Sequence, residues 1–220
     1  MPTSADLALS WGGGQLWLCP ERAAYWPGER VLLVADFHLG KAHSFRRFGV
    51  PVPSGTSEAN LTRLSALIDR LQAHEVVFLG DFLHSARARS APGINAFAAW
   101  HQARPSLPLT LVRGNHDLRA GDPPAELGIR VVDEPFARGS WSLCHHPAVR
   151  EGQAVVAGHL HPGALVTGTG FDRLCLPAFH CTGAVLVLPA FGEFTGLKAV
   201  AREAGDQCFV TDGVQVFRLP

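Results

Sequence analysis

The chain has 220 residues, and its 19 Lys and Arg against 19 Asp and Glu give a formal net charge of zero. Apolar residues make up 47% and charged residues 17%, a mixture that can bury a core and excludes intrinsic disorder. Zero net charge also excludes a protein that coats nucleic acid through bulk electrostatics, so such a partner needs a local basic patch. Pro27-Gly28 predicts a turn into the first strand, VLLVA at Val31–Ala35, which runs into Asp36. Residues 54–75 then predict a helix with Leu61, Leu64, Leu67, Ile68 and Leu71 on one face. Thr56 or Ser57 offers its cap, and Glu58 a carboxylate in the first turn. A second strand at 76–79 runs into Gly80-Asp81, and a weaker helix at 94–103 stops before Pro105. The strand Leu109–Val112 leads into Arg113-Gly114-Asn115-His116-Asp117. Two more strands, 141–144 and 154–157, lead into His145-His146 and Gly158-His159-Leu160-His161. Beyond His161, β-formers at 184–188, 208–211 and 214–218 predict further strands. Continuous apolar runs of this length read as strands covered on both faces.

No repeat or linker divides the chain, so one domain over 1–220 is expected. The 23 glycines and 16 prolines imply many turns between short elements. Five cysteines without a CxxC pair, several inside apolar stretches such as WLCP, imply a reducing compartment. With neither a signal-peptide pattern nor a membrane-spanning apolar stretch, a soluble, cytoplasmic protein is expected.

In sheets packed against helices, sites assemble just beyond the carboxyl ends of strands, and here five strands end in Asp, Asn or His. In Asp36-Phe37-His38 and His159-Leu160-His161, residues i and i+2 of an extended segment face one cavity while Phe37 and Leu160 return to the core. Gly80, Gly114 and Gly158 each precede a candidate ligand, where the missing Cβ lets the chain turn sharply out of the sheet. The candidates are three oxygen donors (Asp36, Asp81, Asn115) and four imidazoles (His38, His145, His159, His161). Seven ligands exceed what one catalytic ion holds. Two ions ~3.5–4 Å apart need a bridging carboxylate, for which Asp81 is the natural choice. A water between two such ions ionises near neutral pH and becomes the nucleophile. Nitrogen and oxygen donors without thiolate suit Mn, Fe, Zn or Co.

His116 is left for acid–base work on the departing alkoxide, with Asp117 available to orient its ring. The fourth motif is a doublet. Alternation from Trp141 and Leu143 selects His145 over His146, and a bulge would exchange them. His84 either faces the site or caps a loop. Lys41, Arg46, Arg47, Arg87 and Arg89 fall on loops after two of the motifs, as phosphate contacts or as solvated charges. Arg113 serves the site or pairs with an acid in the fold.

The motifs DFH, GD, GNHD, CHH and GHLH, in order over positions 36 to 161, resemble those of the calcineurin-like metallophosphoesterase superfamily. The stretches VLLVADFHLGKAHSFRRFGVPVPSGT, FLGDFLHSARARS, LTLVRGNHD, AGDPPAELGI and LPAFGEFTG are similar to the bacterial DNA ligase-associated metallophosphoesterases, described as DNA damage response endonucleases. The resemblance implies a four-layer α/β/β/α sandwich with mixed sheets and a manganese-type dinuclear centre. It also implies a role in DNA repair, near ligase, helicase and nuclease partners. Carried over by motif, Asp36, His38, Asp81 and His161 hold one ion, Asp81, Asn115, His145 and His159 the other, and His116 is the general acid. The expected function is hydrolysis of DNA phosphodiester bonds. The alternative is a phosphoesterase for a small nucleotide or a phosphorylated metabolite or protein. A third reading, a degenerate partner-binding scaffold, expects missing ligands or a replaced His116, and neither is seen.

Overall fold

Short strands with alternating burial open the chain. In the computed structural model, which describes residues 3–53, 55–90, 92–168 and 173–220, β1 (Leu7–Trp11) and β2 (Gly14–Cys19) form an antiparallel hairpin. Gly12 and Gly13 turn it with φ of 58° and 80°, the left-handed pair that a two-residue hairpin loop favours. This hairpin lies outside the predicted elements. β3 (Ala23–Trp26) pairs antiparallel with β4 (Val31–Ala35) across the Pro27-Gly28 turn, as expected. β5 (Glu75–Leu79), β6 (Leu109–Val112) and β7 (Ile129–Val132) then add in parallel, completing a seven-stranded sheet in sequence order.

The helices α1 (Lys41–Arg47), α2 (Thr56–Leu71), α3 (Pro92–Gln102) and α4 (Asn115–Ala120) lie within this half, and among the described residues no α-helix follows Ala120. α2 buries its five expected apolar residues and Asn60. Its N-cap is Gly55 in the left-handed region, not a hydroxyl, and Thr56 Oγ1 instead donates to Pro53 O at 2.9 Å. α3 starts at Pro92, two residues before the expected helix, because proline fits a first helical turn that needs no N–H.

The second sheet contains β8 (Phe136–Arg138), β9 (Trp141–Leu143), β10 (Ala154–Ala157), β11 (Pro162–Thr167), β12 (Arg173–Thr182), β13 (Val185–Val187) and β14 (Lys198–Ala199). Its order is β14-β11-β12-β13-β10-β9-β8, and β15 (Gln207–Thr211) pairs with β12 and with β16 (Val216–Arg218). β10 runs parallel to β9 and β13, whereas β12 runs antiparallel to β11 and β13, so both sheets are mixed. The mixed α/β architecture with two mixed sheets is the one the motifs implied.

Period-two alternation explains the continuous apolar runs. Leu32, Val34, Val76 and Phe78 face the cluster shared with α2 and α3, while Leu33, Ala35, Val77 and Leu79 face the second sheet. There they pack with Trp141, Leu143, Val156, Phe179 and Leu186. Burying both faces of β4 and β5 leaves their carboxyl ends as the polar exits of the sheet. All five cysteines are free thiols. No helix among the described residues is long and apolar enough to cross a membrane.

Candidate metal centre

β4 ends at Ala35, and the chain leaves it through Asp36 and His38, both with φ of 50°. Asp81, His159 and His161 are also left-handed, at 48°, 72° and 47°. The expected extended i, i+2 geometry is therefore replaced. Two left-handed residues flank each central residue and turn both candidate ligands inward. Phe37 is buried as expected, and Leu160 packs half-buried against Cys144, Val155 and Val187. Each left-handed non-glycine residue costs on the order of 1–3 kcal/mol and persists only when its surroundings over-determine it. Backbone bonds do so here: His38 N donates to Asp81 O at 2.9 Å, Leu39 N to Phe82 O at 2.7 Å and His84 N to Leu39 O at 3.1 Å.

The three glycines act mainly through space. A Cβ on Gly80 would overlap the His145 ring, one on Gly114 the Asp81 carboxylate, and one on Gly158 would lie 2.7 Å from Asp36 Oδ2. Gly114 itself has an ordinary extended backbone, so close approach rather than a sharp turn accounts for it.

All seven candidate ligands come together. His38 Nε2 lies 3.4 Å from His161 Nε2, which lies 3.3 Å from Asp36 Oδ1. His145 Nε2 is 3.0 Å from both Asn115 Oδ1 and His159 Nδ1, and 3.3 Å from Asp81 Oδ1. His145 Nδ1 donates to Leu79 O at 3.1 Å, so in the neutral ring Nε2 is left with a lone pair facing oxygen acceptors. Asp36 Oδ1 and His38 Nδ1 are buried without hydrogen-bond partners. Lone pairs converging on lone pairs in a buried space call for cations, and this nitrogen and oxygen set fits divalent transition metals. Burial, then the charges of Lys41 and the neighbouring imidazoles, holds His38 well below the usual histidine pKa, which keeps its ring neutral.

Of the doublet, His145 is fully buried in the cluster. His146 sits at its edge with Nδ1 on Glu134 Oε1 at 2.6 Å, while Glu134 Oε2 accepts the backbone N–H groups of both histidines. Sequence reasoning missed Glu134. An acid eleven residues upstream of a histidine pair carries no spacing signal.

His116 N donates to Asp81 Oδ1 at 2.9 Å, and its Nε2 lies 3.9 Å from Asp81 Oδ2. Asp117 does not orient the His116 ring. Its buried carboxylate accepts from the amides of Leu83 at 2.9 Å, Gly114 at 3.0 Å and Phe82 at 3.3 Å, binding the GNHD turn to the segment after β5. The ring is instead held by its Nδ1–H, which donates to His84 O at 2.7 Å. The His84 ring stacks on His116 at 5.6 Å, and burial, then the charges of Lys41 and His116, pushes its pKa down to about 4. His84 thus faces the site.

The basic residues divide. Lys41, Arg46 and Arg47 lie on α1, and Arg87 and Arg89 on a 3-10 turn at Ala86–Ser90, so neither set is on an irregular loop. The Lys41 amine donates to Thr195 Oγ1 at 3.2 Å; burial lowers its pKa, and the Asp36 and Asp81 charges pull the other way. Arg46 turns from the centre to donate to Pro53 O at 2.9 Å, which pins the segment before α2. Arg113 pairs with Asp122 and Asp133. Arg47, Arg87 and Arg89 are exposed.

A family model described as calcineurin-like phosphoesterase matches residues 29–147. No curated protein matches. Among solved structures the chain is similar to the Pseudomonas putida nuclease MPE, with 38% identity, a TM-score of 0.86, and coverage of 97% of this chain and 100% of that one. It is also similar to Yfce, a phosphoesterase from E. coli, at 14% identity and a TM-score of 0.39 over 86% of this chain and 97% of that one. The family match takes in four of the five ligand-bearing strand ends and the nuclease similarity nearly the whole chain, so this protein belongs to the calcineurin-like phosphoesterases and is a metal-dependent phosphoesterase.

Proposed function

We propose that this phosphoesterase hydrolyses DNA phosphodiester bonds, with two divalent ions, manganese foremost, as a cytoplasmic repair nuclease that works beside ligase, helicase and nuclease partners. The observation that carries the reading is the convergence of seven donor side chains on adjoining clusters: Asp36 gathers with His38 and His161 and also with Asp81 and His145, and Asn115 and His159 meet His145. Asp36, His38, Asp81 and His161 would hold one ion, and Asp81, Asn115, His145 and His159 the other. Similarity to a nuclease along nearly the whole chain supports the choice of substrate. Bound divalent ions supply Lewis-acid polarisation of the phosphoryl oxygens and a nucleophile at neutral pH.

The protein's own contribution is proton delivery and restraint. With Nδ1–H fixed on His84 O, a protonated His116 would carry its second proton at Nε2, the atom that would protonate a departing alkoxide. Such an acid matters most for a poor leaving group, such as the sugar of DNA. His116→Ala should keep its metals, lose ~10²–10⁴-fold on DNA, and lose much less on bis(p-nitrophenyl) phosphate, whose leaving group needs no proton. Equal losses on both substrates would make His116 a positioning residue.

The deciding experiment compares aryl monoesters, aryl diesters and defined DNA oligonucleotides with Mn²⁺. Cleavage of DNA supports the reading. Turnover of small esters without DNA cleavage replaces it with a phosphoesterase for small nucleotides or phosphorylated metabolites or proteins.

A further inference from the structure

Beside the metal centre, α1 and the turn at Ala86–Ser90 enclose a pocket of about 310 Å³. We infer that this pocket is a nucleoside subsite, receiving the base and sugar next to the phosphate bound at the centre; the inference rests on the phosphodiesterase reading above.

Three observations carry it. The first is continuity. His84 forms a wall of the pocket, stacks on His116, and meets His38 edge-on at 5.6 Å. An occupant of the pocket is thus one imidazole away from both the proposed acid and a proposed ligand. The second is an exposed ring. Phe48 lines the pocket with 74% of its surface in water, although folding had a core available for aromatic rings. Its backbone N–H is held by Phe45 O at 3.0 Å and Ser44 O at 3.2 Å at the end of α1, so the backbone is anchored while most of the ring stays in water. The third is chemistry. Arg47, Arg87 and His43 also line the pocket, with Ser44, Ser85 and Ala86 between them, so flat π surfaces and cations border one space.

A simple anion has no use for an exposed phenyl ring, and an alkyl chain none for guanidinium groups. A base flanked by phosphates uses both, by stacking on the ring faces and by charge. The volume lies at the small end of ligand pockets, ~300–1,000 Å³, which suits one ring system and its sugar.

The test is equilibrium binding to the manganese-loaded full chain, followed by calorimetry. The probes are methylphosphonate and the 5′-methylenephosphonate analogue of thymidine monophosphate, whose P–C bond resists hydrolysis. The wild type should bind the nucleoside probe more tightly than methylphosphonate. Phe48→Ala should weaken the nucleoside probe by roughly 5- to 100-fold and leave methylphosphonate unchanged, and Phe48→Tyr should retain the wild-type preference. The inference is overturned if the wild type shows no preference for the nucleoside, if Phe48→Ala weakens both probes equally, or if it weakens neither. Failure of the DNA reading shows elsewhere, in a wild type that cuts no oligonucleotide, so the two outcomes are read separately.

Discussion

The two sheets supply the centre in different ways. The first sheet contributes Asp36, His38, Asp81 and Asn115, and its exits are laced to each other: His38 N to Asp81 O, Leu39 N to Phe82 O, and the Asp117 carboxylate to three amides. The second contributes only imidazoles, and these are oriented largely by the first. His145 Nδ1 bonds Leu79 O, and His159 N donates to Asp36 Oδ2 at 2.9 Å. The oxygen-rich half is therefore organised internally, whereas the imidazole half becomes organised when the sheets dock. Glu134 is the second half's own brace.

Replacing a carboxylate that touches both halves should have the largest effect. Asp81 meets His145 from the second sheet and receives His116 N from the first. Asp81→Asn should lower both metal content and turnover by orders of magnitude, read by metal analysis of the purified protein beside a diester assay. Full metal occupancy with near-native turnover would remove the shared-carboxylate assignment.

A smaller, one-sided effect is expected at the docking contact. Gly80→Ala sets a methyl group into the His145 ring at a φ of 79° that alanine rarely adopts. On the proposed two-ion reading it should cost about 10- to 100-fold in affinity for one of the two ions, the scale seen when a group orienting a ligand is lost. Two-step metal titration reads this directly. Equal weakening of both steps would show that the halves are not organised separately.

The smallest effect on the centre belongs to a contact of the first half remote from it. Arg70, in the last turn of α2, binds Asp6 at 2.5 Å and Glu21 at 3.0 Å on either side of the first hairpin. Burial pulls the Asp6 carboxyl upward, but the bonds from Arg70 and Thr3 N outweigh it and hold the pKa below its usual value. A lowered folded-state pKa means stability that is present above the unfolded value of ~3.9 and is lost as pH falls through the folded one. Asp6→Asn should therefore lower stability by ~1–3 kcal/mol near neutral pH and flatten the loss of stability below about pH 4. Denaturant titrations at several pH values measure both, and metal affinity should stay unchanged.

Much of this was legible because chemistry-bearing residues directly follow apolar runs. Asp36, Asp81, Asn115, His145 and His159 each stand within three residues of a strand end, and α2 shows its apolar stripe openly. The unread parts lack such marks. Nothing in DFH or GHLH announces left-handed histidines, since that conformation is imposed by amide bonds between distant segments. Asp117 has the residue type of a catalytic partner, and only the positions of the Leu83 and Gly114 amides reveal its structural use. α1 is short and polar, so it resembled a loop. The hairpin β1–β2 alternates, but its strands are short and bury Leu9, Leu16, Leu18 and Cys19 alone, too few to mark it out.

That hairpin has a consequence in time. Trp141, which begins the strand leading to His145, seats its ring so closely against Gly12 and Gly14 that a Cβ on either would overlap it. During synthesis these first turns emerge with nothing to rest against until β9 follows far later. Pairings of such long sequence separation slow folding and prolong the exposure of unpaired apolar faces. A chain halted just before residue 159 would display the carboxylates and lack two imidazoles. Tight metal uptake would then mark the moment at which synthesis has passed His161 and the sheets have closed.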